Sequence, residues 1–108
     1  LARKLSTLGV DFMDCSSGGL SPRQNIPVSP GYQVPFSEAI KSQANINTAA
    51  VGMITTSTFA DQIIKENKAD IVFLGRESLR NPQFALTASN DLDHPIEYWP
   101  DQYRLARP

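Results

Sequence analysis

One cysteine and one histidine among 108 residues remove several kinds of chemistry at the outset. A lone Cys15 cannot build an internal disulfide framework and is compatible with a reducing compartment. With His94 as the only imidazole there is no zinc-ligand spacing and no nucleophile–base pair, and no Walker-type glycine loop takes their place. An excess of charge of one sign is missing too. Ten Lys and Arg stand against eleven Asp and Glu, for a net charge of −1, and the basic residues are scattered, which leaves no nucleic-acid footprint. Apolar runs fall far short of a membrane span, and the opening residues do not read as a charged-then-apolar secretory leader. A cytoplasmic location, with neither membrane nor nucleic acid as partner, is the expectation. The chain opens at Leu1 rather than at a methionine, which processing or a piece of a longer product would each explain. With 41% hydrophobic and 19% charged residues, the composition is that of one small globular domain, neither disordered nor fibrous.

What is present alternates. Leu1, Leu5 and Leu8 have helical spacing, with Gly9 as the stop. Val10 to Cys15 reads as a short strand ended by Ser16-Ser17-Gly18-Gly19. From Leu20 to Pro35 four prolines (Pro22, Pro27, Pro30 and Pro35) mark a long loop, and loops of that length are usually functional. Ser37 to Ala44 reads as a helix capped by Ser37, burying Ala39 and Ile40. Asn47 to Val51 is the next strand, cut off at Gly52. Thr55 to Lys65 is a helix with Thr55 or Thr56 as cap and Phe59, Ile63 and Ile64 on its buried side. A strand at Ile71 to Leu74 follows, then Gly75-Arg76, a short helix over 77–82 and another from about Gln83 to Ser89. The tail from Asp93 carries Ile96, Tyr98, Trp99 and Tyr103 as anchors and reads as draped over a surface of this chain or another.

Strict alternation of helix and strand argues for a parallel sheet. Each of the three strands ends at a glycine (Gly18, Gly52, Gly75), and ligands of parallel α/β folds sit at the carboxyl ends of strands. The run Ile71-Val72-Phe73-Leu74 fits a strand buried on both faces. Gly75 then allows close approach of the backbone, and Arg76 offers a planar, permanently charged fork suited to phosphate. Beside that stands the plainer reading of a glycine turn and a surface arginine.

Four stretches together resemble the Old Yellow Enzyme family, in particular its NADPH-dependent, FMN-containing ene-reductases. They are Gly9-Val10-Asp11-Phe12-Met13-Asp14-Cys15-Ser16-Ser17-Gly18-Gly19, Pro30-Gly31-Tyr32-Gln33-Val34-Pro35-Phe36, Ala50-Val51-Gly52-Met53-Ile54, and Ala69-Asp70-Ile71-Val72-Phe73-Leu74-Gly75-Arg76-Glu77. The resemblance implies an α/β fold that is the C-terminal portion, about strands 6–8 with their helices, of a (β/α)8 TIM barrel, a fold of about 250 residues. Residues 1–92 would be the partial-barrel FMN-binding region and 93–108 a C-terminal tail. A flavoprotein oxidoreductase is implied, with FMN as cofactor and NADPH as electron donor, reducing small unsaturated carbonyl compounds. Catalytic residues of such an enzyme would lie outside this chain.

By the resemblance, Gly75 and Arg76 hold the FMN phosphate, Gly52 faces the same phosphate, and Ser17 and Gly18 approach the ribityl chain or phosphate. Gly52 also reads as a turn needing positive φ, and Ser16 to Gly19 as a flexible turn. In the family's dimeric branch an arginine shortly after a Gln-Tyr pair reaches the partner subunit's active site. Here Gln102-Tyr103 is followed by Arg104 and then Arg107; either takes that substrate-binding role in a homodimer formed through the tail, or both are surface residues. Cys15 reads as a small buried apolar residue, Tyr32 as a packing residue and His94 as solvated. Asp11 and Asp14 form no ligand cluster, so no metal is expected. Two other readings stand beside the enzyme: a truncated, inactive barrel fragment, and a barrel acting on a phosphorylated metabolite.

Overall fold

The computed structural model describes residues 1–107 of the chain. Helix α1 (Ala2–Thr7) leads into strand β1 (Phe12–Cys15), then α2 (Val34–Ala44), β2 (Asn47–Val51), α3 (Ser57–Lys65), β3 (Ile71–Phe73), α4 (Arg76–Arg80), α5 (Phe84–Asp91) and a 3-10 helix at Asp101–Ala106. The three strands form one parallel sheet in the order β1-β2-β3. Mixed α/β architecture with a parallel sheet is thus as the alternation implies, and it is consistent with part of a TIM barrel.

Several boundaries differ from the sequence reading, each for a local reason. β1 begins at Phe12 because the Val10 amide is already committed: it donates to the Leu5 carbonyl while the Gly9 amide donates to Ser6, with Gly9 at φ +91°. That pair of bonds around a left-handed residue closes the end of α1. The same pattern closes α3 around Asn67 (φ 58°) and α5 around Asp93 (φ 54°), the latter with the His94 amide donating to Ser89. Helix α2 starts three residues before the expected cap. Pro35 sits in its first turn, where a missing N–H costs nothing, and Ser37 is inside the helix, buried, its hydroxyl donating to the Val34 carbonyl at 2.8 Å. Val34 and Ser37 are therefore the buried residues of α2, while Ala39 and Ile40 are only half-buried. In α3 the cap is Thr56, whose hydroxyl accepts from the Phe59 amide at 3.3 Å, and Ile64 is exposed rather than buried.

One face of the sheet carries the core. Val34, Ala50, Ile54, Ala60, Ile63 and Ala69 are buried together, with Phe59, Val72 and Leu74 packed against them. The other face does not match the expectation of a strand buried on both sides. Ile71 and Phe73 are 44% and 41% exposed, Phe12 is 37% exposed, and the Phe12 and Phe73 rings lie 6.3 Å apart across that face. Residues alternate across a strand, so Val72 meets the helices while Ile71 and Phe73 point to the face that no described element covers. In the tail Tyr98 and Leu105 are exposed, and residues Asp101–Ala106 form the 3-10 helix.

Candidate functional site

The register brings the three strand ends together. Cys15 pairs with Ala50 and Val51 with Phe73, so Ser17 and Gly52 both stand two residues past one rung and Gly75 two past the other. Ser17, Gly18 and Gly52 thus lie on adjoining turns, with Gly75 and Arg76 on the next one. Arg104 lies apart from them in the 3-10 helix, exposed and paired with Asp101 at 2.9 Å. It lines, with Arg107, Trp99 and Glu97, a cavity of about 710 Å³ built wholly from the tail.

Why glycine stands at each strand end has a different answer each time. Gly52 is buried with φ +123°, and a Cβ there would lie 2.9 Å from the Tyr32 ring and 3.1 Å from Gln33 Nε2. Its carbonyl accepts from the Gly31 amide at 2.9 Å, which ties the proline-rich loop to β2. Gly18 has φ +102°, and a Cβ would lie 2.5 Å from Ile26 Cδ1. Gly75 has φ −84°, and a Cβ there would meet nothing within 4 Å. Packing among the described residues gives no reason for a glycine at 75; the space beside its backbone is open.

Arg76 opens α4 and is exposed. The nearest acidic residue in sequence, Glu77, is engaged by Arg80 at 3.0 Å, and among the described residues Arg76 has no carboxylate partner. The rim therefore keeps one unpaired guanidinium beside one open backbone position.

Gln33 belongs to this rim, and the sequence reading gave it no role. Its side chain is 4% exposed, its Oε1 accepts from both the amide and the hydroxyl of Ser17, the latter at 3.2 Å, and its Nε2 donates to the Val51 carbonyl at 3.3 Å. No periodicity or spacing marks such a residue. The sign available was its position at the foot of the loop, directly before the helix that follows. Tyr32 packs its ring over Gly52, in line with a packing role. Cys15 is buried, and its thiol is pushed above the ordinary cysteine range first by burial and then by the Asp14 carboxylate, which suits a small apolar residue better than a thiolate. Among the described residues no group of three His, Cys, Asp or Glu could hold a metal ion. Among the described residues no helix is long and apolar enough to cross a membrane.

Residues 3–94 match the family model of the NADH:flavin oxidoreductase / NADH oxidase family. The chain belongs to that family. Membership of the NADH:flavin oxidoreductases implies flavin binding and oxidoreductase chemistry, and the match spans all three strand ends and stops at residue 94, where the tail begins. The rim suits the phosphate end of a flavin nucleotide by its chemistry: an unpaired cation suited to a dianion, and open space along the Gly75 backbone.

Proposed function

We propose that the chain provides the FMN-phosphate site of an ene-reductase of the Old Yellow Enzyme type. In this reading Phe12 to Phe73 supplies about strands 6–8 of a (β/α)8 barrel, residues 1–92 form the cofactor-binding region, and 93–108 form a separate tail. Bound FMN would supply the hydride chemistry, between NADPH and the β-carbon of an activated alkene such as an enone. The chain's own part is to hold the phosphate end. The Arg76 guanidinium gives a charge-assisted, two-pronged contact, the backbone at Gly75 and Gly52 comes close on either side, and Ser17 and Gly18 border the neighbouring strand end. Arg104 reaches a partner subunit's site in a homodimer formed through the tail. The observation that carries this reading is the unpaired Arg76 beside the open Gly75 backbone.

The test is cofactor affinity in the intact protein, measured with both FMN and riboflavin. Replacing Arg76→Gln is expected to weaken FMN by about 10- to 100-fold, the range for losing a charged hydrogen-bond partner, with riboflavin affinity unchanged. Equal FMN affinity in the variant and the parent would sink the phosphate reading.

A further inference from the structure

A buried side-chain amide seldom bridges two strand ends without consequence for what those ends do. Gln33 uses its acceptor twice on Ser17 and its donor once on Val51, so the turn after β1 and the last residue of β2 are fastened through one side chain. Gln33 is buried while Ser17 and Val51 are half-buried, so a bond lost here is replaced by water only in part. Gln33 in turn is held from behind. Gln33 is the N-cap of α2, whose first turn contains Pro35, Gly31 donates to the Gly52 carbonyl, and Gly52 lacks the Cβ that would meet Gln33 Nε2 at 3.1 Å. The loop, the helix start and the second strand end therefore converge on this residue, which itself is no candidate for ligand contact.

We propose that Gln33 is a positioning residue: it locks the Ser17–Gly19 turn against the end of β2 and so sets the width of the rim in which a phosphate would lie beside Gly52. The role rests on the phosphate-site reading above, but the lock itself does not need the cofactor. It is a property of the cofactor-free fold, and that allows the two to fail separately.

Two measurements on the intact protein decide it. The first is hydrogen exchange at the Ser17 amide without cofactor. Gln33→Met keeps the volume and removes all three bonds, and exchange at Ser17 is expected to speed up about tenfold or more while α3 keeps its protection. The second is the ratio of FMN to riboflavin affinity. It is expected to fall by about tenfold in Gln33→Met, because only the phosphate end feels the rim. Gln33→Asn stays neutral but shortens the amide by one methylene, so that it cannot span Ser17 and Val51 together, and should fall between the parent and Gln33→Met on both readouts. If Gln33→Met does not fold, Gln33→Asn carries the test alone. Unchanged Ser17 exchange overturns the lock. Faster exchange with an unchanged FMN-to-riboflavin ratio overturns the positioning role. A parent protein that holds FMN no tighter than riboflavin overturns the phosphate reading and, with it, the positioning role, while the exchange result still decides the lock.

Discussion

A Cβ at position 52 would press 2.9 Å from the Tyr32 ring on a backbone held at φ +123°, so two separate causes demand glycine there. Gly52→Ala is expected to lose about 1–3 kcal/mol of stability in a denaturant titration, the scale of a non-glycine residue forced into such a conformation with a clash added. A loss under a few tenths of a kcal/mol would show that the Tyr32 ring moves aside. The same geometry changes what the glycines say about function. At 18 and 52 the fold alone accounts for glycine, so those positions carry little information about a ligand. At 75 packing accounts for nothing. Gly75 and the adjacent unpaired Arg76 are where the functional argument stands, and Gln33 is the residue that a reading of motifs could not weigh, since its importance lies in three bonds between segments far apart in sequence.

Among the elements, what was legible depended on how locally each was determined. The stop of α1 could be read because glycine is the usual left-handed residue; the identical closures at Asn67 and Asp93 were hidden because Asn and Asp serve as readily in caps and turns. Pro35 has the look of the last residue of a loop but sits in the first turn of α2, and for that reason Ser37, three residues inside the helix, resembles a cap in sequence. β2 was read at its observed bounds since Asn47 and Gly52 bracket it. At its other end β2 is joined to β3 by Asp70, whose carboxylate accepts from the Thr48 amide at 2.8 Å and pairs with Lys41 of α2 at 2.9 Å. The Lys41 hydrogen bond first, and the Thr48 amide second, hold the Asp70 carboxyl below the usual aspartate range. A carboxyl depressed in the folded state stabilises fully above its unfolded value, near about pH 3.9, and that contribution fades as pH falls through the lower folded value. The parent should therefore lose stability more steeply than Asp70→Asn below about pH 4. Parallel acid-denaturation curves for the two would mean that the partly exposed pair contributes nothing net.

At the scale of the whole molecule, the sheet has a finished face and an unfinished one. The finished face was foreseeable from the apolar spacing of α3 and from Val72 and Leu74. The sequence also read Ile71 to Leu74 as buried on both sides, and composition alone could not show otherwise, because a strand records that its second face is apolar and not what lies against it. In the described residues Phe12, Ile71 and Phe73 are open, and β1 and β3 each pair on one side only. Apolar rings on an uncovered face, flanked by two free strand edges, favour association over a soluble monomer. Expressed as residues 1–108 alone, the chain is expected to sediment as a concentration-dependent associated species, to retain no stoichiometric FMN on purification, and not to oxidise NADPH. Replacing Ile71→Lys and Phe73→Lys together should shift sedimentation toward the monomer, since the charges fall on the open face and leave Val72 and the core untouched. A monodisperse, yellow, flavin-loaded monomer of these residues would refute that account, because it would mean that the face and edges need no cover and that the rim at Gly75 and Arg76 suffices to hold the cofactor.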